Sequence, residues 1–299
     1  MTELISIQPR RILVATDLTP RSDRALDRAV QLAAEFGAEL IAAHILDPAE
    51  TPQYFVDRSR RSWRRIPDPV ERMRWQLRRD LGGASEGIRV IVEEGNPAEK
   101  LIDLAIREQC DLIVTGDAGP ESLSRMIFGS TINRIVRGST APVLMVHDRP
   151  TRRYRDIVIA TDFTEASLQA LQTVAAFFPT SDLTLFHGYD IPYAGFIVDR
   201  DIESELRSIE KEITTKFMAD ARITPNVKSR TAVMIEHGSP DALLGDFIDE
   251  HSSDLTVIGS HGRGAIFDAL IGSNAKRLVE RLEGDLLIIR YIEGEQADR

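Results

Sequence analysis

Two stretches of the chain combine glycines, a serine and an upstream carboxylate in a pattern that could hold a phosphate. In the second half, Gly259-Ser260-His261-Gly262-Arg263-Gly264 is followed seven residues later by Gly272-Ser273-Asn274. In the first half, Gly116-Asp117-Ala118-Gly119 leads to Gly129-Ser130-Thr131. Both read G-x2-G-x9-G-S. Glycine lets backbone approach an anion closely and adopt positive φ. Amides at the start of a helix, expected around Ser130 and Ser273, donate to that anion with help from the helix dipole. Upstream of each loop an aspartate ends a short apolar run: Asp17 after ILVAT and Asp162 after IVIAT. Such an aspartate can meet a ligand or cap the next helix. Neither loop carries the Gly-Lys-Ser/Thr of a P-loop, and neither is a G-x-G-x-x-G placed after a first strand. No G-x-S-x-G, H-E-x-x-H or metal-ligand cluster is present, and no lysine lies in either loop. Asp268, between the glycines, could meet a metal or sit exposed at a loop tip. The chemistry implied is binding, not dedicated catalysis.

The elements that would position these residues are written twice. Residues 12–17 return as 157–162, an offset of 145. The segment GNPAEKLIDLAIREQCDLIVTG at 95–116 matches GSPDALLGDFIDEHSSDLTVIG at 238–259, an offset of 143 with no internal gap. A period of that length is a duplicated domain, not a solenoid repeat. The seam falls near Asp148-Arg149-Pro150-Thr151, giving domains at 1–149 and 150–299. In each half, short β-branched runs, ending at 15, 45, 92, 114 and 146 in the first, alternate with amphipathic stretches such as 24–36. Pro97 and Pro240 follow Asn96 and Ser239 as first-turn prolines after N-caps. Runs such as Leu112-Ile113-Val114 are apolar on both faces, as in parallel strands covered by helices. The expectation is α/β: two tandem doubly wound, Rossmann-like domains, each a mostly parallel five-stranded sheet with helices on both faces. In such a sheet the ligand lies beyond the carboxyl ends of the strands, where the strand order reverses.

The chain of 299 residues has a formal charge of −10, with 42% hydrophobic and 28% charged residues. That composition excludes collagen, coiled coil and wholesale disorder. An acidic average repels phosphate backbones and argues against general nucleic-acid binding. No apolar run approaches the ~20 residues of a membrane span. The opening MTELISIQPRR has no apolar core of a signal peptide. The single Cys110 excludes an internal disulfide and is expected buried and inert. A cytoplasmic protein is the expectation.

With these pieces assembled, the sequence resembles a tandem universal stress protein over essentially its whole length. The resemblance rests on ILVATD and IVIATD, on the GNPAE and GSPDA segments, and above all on GSHGRGAIFDALIGSNAKRLV. It implies an adenine nucleotide alpha hydrolase-like fold and binding of ATP, or ADP or AMP, with Mg2+ on the phosphates and slow or no hydrolysis. By resemblance, Ala160, Thr161 and Asp162 contact the adenosine, and the backbone at Gly188 covers the base or ribose. Ile258, Gly259, Gly262, Gly272, Ser273 and Asn274 line the phosphates, joined by His261 and Arg263, which suit an anion. The first-half counterparts are Asp17, Ile45, Thr115, Gly116, Gly119, Gly129, Ser130 and Thr131. The family also implies that final strands of two domains pair. Here those are residues 142–147 and 285–290, paired within the chain as a pseudo-dimer that could dimerise further. A loss of stability on polar substitution of Val143 and Leu287 would test that pairing.

The halves are not equal. Asp117 puts a like charge beside any phosphate, and Pro120 removes an amide donor. The second domain is therefore expected to bind nucleotide and the first to bind it weakly or not at all. An alternative is a stress scaffold without nucleotide, holding another small or apolar ligand or a protein partner. His44 and His187, at strand ends, are expected to be structural. Residues 58–79 hold nine arginines and both tryptophans, Trp63 and Trp75. That segment either binds nucleic acid or an acidic partner, or is a solvated helix whose tryptophans pack inward.

Overall fold

The computed structural model describes residues 8–20, 22–48, 68–116, 130–190, 200–261 and 284–291. They form two compact units, Pro9–Thr151 and a second made from Arg152 onward.

The N-terminal unit contains β1 (Arg11–Ala15), α1 (Asp23–Phe36), β2 (Glu39–Leu46), α2 (Pro69–Leu81), β3 (Arg89–Glu94), α3 (Pro97–Arg107), β4 (Leu112–Gly116), α4 (Ser130–Gly138) and β5 (Val143–Val146). Its strands run β3-β2-β1-β4-β5, with every ladder parallel. Ala15 stands opposite both Ala43 and Thr115, so β1 and β4 end side by side where the strand order reverses. β1 and β5 end at 15 and 146 as their β-branched runs suggest, and β2, β3 and β4 end one or two residues later, because Leu46, Glu94 and Gly116 still hold ladder positions. In β4 all five residues are buried, as expected for a strand covered on both faces. Helix α1 buries Ala25, Leu26, Ala29, Leu32 and Ala33 and stops at Gly37, whose left-handed φ of 65° lets its amide return to the Ala33 carbonyl.

The C-terminal unit repeats the plan with β6 (Asp156–Ala160), α5 (Glu165–Phe177), β7 (Asp182–Tyr189), α6 (Arg200–Met218), the short α7 (Pro225–Ser229), β8 (Thr231–His237), α8 (Pro240–His251), β9 (Leu255–His261) and β10 (Leu286–Tyr291). Its strand order is β8-β7-β6-β9-β10, again all parallel. Ala160 meets Phe186 on one side and Ile258 on the other, so this unit's switch point lies between β6 and β9. Here β8 departs from the two-faced pattern. Ala232, Met234 and His237 are exposed, because β8 pairs only with β7 within its unit.

The first-turn prolines stand where expected, but their caps differ. Asn96 accepts from the Glu99 amide at 3.3 Å, closing the start of α3. Ser239 holds the N-cap position of α8 with no side-chain cap bond, and its hydroxyl donates to the buried Asp241 carboxylate. A second aspartate recurs at the opposite end of each sheet. Asp111 accepts from the amides of Arg10 and Arg11, and Asp254 from those of Arg155 and Asp156. Each ties the entry of the unit's first strand to the entry of its fourth. Among the described residues no helix is long and apolar enough to cross a membrane.

Candidate functional site

At the carboxyl end of β6 the chain makes a tight turn built from Thr161, Asp162, Phe163, Thr164 and Ser167. Asp162 Oδ1 accepts from the Thr164 amide at 3.1 Å, the Thr164 hydroxyl at 2.6 Å and the Ser167 hydroxyl at 2.7 Å. The Phe163 amide donates to Thr161 Oγ1 at 2.9 Å, and the Asp162 amide to Ser167 Oγ at 3.1 Å. After β1 the same bonds join Thr16, Asp17, Leu18, Thr19 and Ser22. Asp17 Oδ1 accepts from the Thr19 amide at 2.9 Å, the Thr19 hydroxyl at 2.7 Å and the Ser22 hydroxyl. Burial works against ionising either carboxyl, but the donated hydrogen bonds outweigh it, and both sit below the usual carboxylate range. In both turns the bonds converge on Oδ1, and Oδ2 stays outside the turn's own bonding. The residue after each aspartate, Leu18 at φ 61° and Phe163 at φ 59°, adopts left-handed backbone that β-carbons disfavour. Such strain costs about 1–3 kcal/mol and persists where the surroundings enforce it. It is stored at the same position of both units, at the switch point.

The neighbouring strand braces each turn. The His44 ring hydrogen-bonds through Nδ1 to the Thr16 carbonyl at 2.9 Å, and the His187 ring to the Thr161 carbonyl at 2.6 Å. A carbonyl only accepts, so Nδ1 carries the proton in both rings. Both histidines are thus structural at Nδ1, as their strand-end positions suggested. Burial lowers the pKa of His44, more than its carbonyl partner and Asp17 raise it.

The glycines of this region have packing reasons of their own. A β-carbon at Gly259 would lie 3.1 Å from the Ala166 carbonyl oxygen in the first turn of α5. One at Gly188 would lie 3.0 Å from the backbone Cα of Pro240, where α8 begins. Each glycine lets a helix start close to a strand end, whatever else binds there.

The structure places Ala160, Thr161, Asp162, Gly188, Ile258 and Gly259 together on adjacent strand ends of the C-terminal unit. Asp17, Ile45, Thr115 and Gly116 hold the equivalent ends in the N-terminal unit, and Thr131 lies in the first turn of α4. His261 ends β9 and Ser130 begins α4. Gly262, Arg263, Gly272, Ser273, Asn274, Gly119 and Gly129 lie outside the described residues, as do Asp117, Pro120, Asp268 and Trp63. Trp75 does not pack inward: it is 63% exposed, with the Arg79 guanidinium 5.2 Å from its ring centre. Cys110 is buried, and burial pushes its thiol up to about 12, which keeps it unreactive.

Some residues at the site were not singled out from sequence. Thr16, Thr19 and Ser22, with Thr164 and Ser167, were legible by extending the repeat five residues, since TDLTPRS and TDFTEAS agree at four positions. In the C-terminal unit, Tyr189 ends β7 and donates to Glu210 Oε1 on α6 at 2.6 Å. His237, ending β8, meets the same oxygen through Nε2. Burial and the Glu210 carboxylate push the Tyr189 hydroxyl up to about 12. No repeated signal marks this cluster, because Leu46 and Glu94 stand at the matching N-terminal positions.

The universal stress protein family model matches the chain twice, over residues 9–147 and 153–290. Universal stress protein E of Salmonella typhi is 22% identical over 94% of this chain and 94% of its own length. A universal stress protein of Mycolicibacterium smegmatis is 25% identical over 93% and 96%. Among solved structures, a universal stress protein from Archaeoglobus fulgidus overlays 98% of this chain and all of its own, with a TM-score of 0.68 at 18% identity. Two matched halves on two copies of one α/β plan place this chain in the universal stress protein family, as a tandem member.

Proposed function

We propose that this protein is a stress-response regulator that holds an adenine nucleotide, ATP foremost, at the carboxyl ends of β6 and β9. The observation that carries the reading is the turn after β6. It is rigidly bonded and strained, and it stands beside the strand that runs into the intact G-x2-G-x9-G-S sequence. A turn fixed before the ligand arrives loses little entropy on binding. Asp162 Oδ2, outside the turn's bonds, suits a ribose hydroxyl or a cation. Among the described residues no three acidic, histidine or cysteine side chains gather into a metal cage. Mg2+ fits this donor set only as a cation carried on the phosphates with its own waters, which is its usual mode. Slow or absent hydrolysis is part of this reading and is carried by the family resemblance alone.

The N-terminal unit has the same turn but carries Asp117 and Pro120 in its loop sequence. It binds nucleotide weakly or not at all. The test is to denature freshly purified protein and identify released small molecules by mass spectrometry, beside a Gly272→Glu variant. Adenine nucleotide from the wild type and none from the variant supports the reading. A protein that releases none and takes up no Mg-ATP is instead a scaffold for another ligand.

A further inference from the structure

The helix that follows the second strand leaves large apolar side chains uncovered in both units. In the N-terminal unit this is α2, which buries Leu77 and Leu81 and leaves Trp75 exposed. In the C-terminal unit it is α6, where of residues 205–218 only Phe217 is buried. Ile209 and Ile213, one turn apart on α6, are 47% and 43% exposed. Residues three and four apart share a helix face, so the half-buried Leu206 extends this stripe toward the helix start. Single exposed apolar residues are ordinary, but adjacent ones on a helix that covers little core mark a contact surface.

The charges beside these residues are of opposite sign. By the same spacing, Trp75 is flanked by Arg72, Arg78 and Arg79, all exposed, with the Arg79 guanidinium 5.2 Å from the ring centre. Glu71, one turn before Trp75, is paired with Arg74, and Asp80 lies 3.7 Å from Arg79, which leaves the face around the ring basic. On α6 the exposed Glu205 and Glu212 flank Ile209, and Lys216 stands one turn beyond Ile213. Tryptophan and arginine together are the residue types that most often anchor protein interfaces.

We infer that α2 of one copy of this chain docks on α6 of a second copy, with Trp75 on the stripe of Ile209 and Ile213 and the arginines around it against Glu205 and Glu212. A chain with a formal charge of −10 offers acidic surface to a basic helix. Like faces would instead set arginine against arginine or carboxylate against carboxylate, so the contact joins unlike faces, head to tail. A single helix-on-helix contact is smaller than the standard interface of about 1,600 Å², which makes the association reversible.

Sedimentation velocity of the full-length chain over a concentration series, before and after nuclease digestion, tests this. The wild type is expected to associate, and less so as salt rises from about 50 to about 500 mM. Trp75→Ala is expected to weaken association by about ten-fold or more, the loss of one central anchor, and Ile209→Ser/Ile213→Ser to do the same. All three residues are exposed in the free chain, so melts of both variants should match the wild type. The two variants mixed are expected to form a two-chain complex, since one brings an intact α6 face and the other an intact α2 face. A wild type that stays monomeric, association that nuclease removes, folded variants that associate as the wild type does, or a mixture that behaves as its separate parts overturns the contact.

Discussion

Asp17 and Asp162 each hold three donors on one oxygen, and His44 and His187 each brace the carbonyl before them. The charge states of these groups translate into pH dependence. Both carboxyls titrate lower in the folded chain than their ordinary 3.8. Their contribution is complete above that value and is lost only as pH falls through the lower folded value. His44 is also held below its ordinary 6.5, chiefly by burial, so the unfolded chain binds its proton first. Stability should therefore begin to fall as pH drops below about 6.5, before either aspartate matters. Denaturant melts from pH 7.5 to 5 should show that slope, flattened by a His44→Gln variant; equal slopes would contradict the account. Trp75 gives a contrasting prediction. With 63% of its surface exposed, Trp75→Ala should change stability by less than about 0.5 kcal/mol in the same melts. The bonds of the turns were partly legible, because Asp17 and Asp162 stand out in the repeat. The strain at Leu18 and Phe163 was not, since neither residue type signals positive φ.

At the level of elements, most of the plan was readable and the exceptions have local causes. The alternation of β-branched runs and amphipathic stretches gave five parallel strands in each unit, because these patterns reflect which faces helices cover. Helix α1 begins one residue earlier than its apolar spacing suggests, at Asp23, an acidic residue favoured in a first turn. The missing cap bond at Ser239 was invisible because serine is a favoured N-cap by residue type, and only the folded turn shows its hydroxyl turned to Asp241. The alternating exposure of β8 follows from its place at the end of the order in its unit, which local sequence does not encode. Packing at element junctions yields two predictions. Ile113, fully buried in β4, should cost about 2–5 kcal/mol as Ile113→Ala. Gly188→Ala, which adds a methyl group 3.0 Å from the Pro240 backbone, should cost about 1–3 kcal/mol through overpacking. A melt of Gly188→Ala at wild-type stability would mean that α8 shifts freely away from β7.

For the molecule as a whole, duplication and divergence are the main facts. Two copies of one domain, both matched by the same family model, keep the strained turn and its bracing histidine. They differ in loop sequence, where Asp117, Ala118 and Pro120 stand at the positions of Ser260, His261 and Arg263, and in the successive ring contacts of Phe163, His187, Tyr189 and His237, whose counterparts are Leu18, His44, Leu46 and Glu94. Duplication was legible from two offsets near 144, and the loop divergence from the residues themselves. The ring contacts were not legible, because Phe163, His187, Tyr189 and His237 come from the turn after β6, from β7 and from β8 and meet only once those elements pack. The central claim is that nucleotide binding belongs to the C-terminal copy. The most direct measurement is an equilibrium titration of nucleotide-free protein with Mg-ATP, read for stoichiometry. The account predicts one high-affinity site per chain, abolished by Gly272→Glu and kept by Gly129→Glu. Two equivalent sites per chain, or a single site abolished by Gly129→Glu and kept by Gly272→Glu, would contradict it.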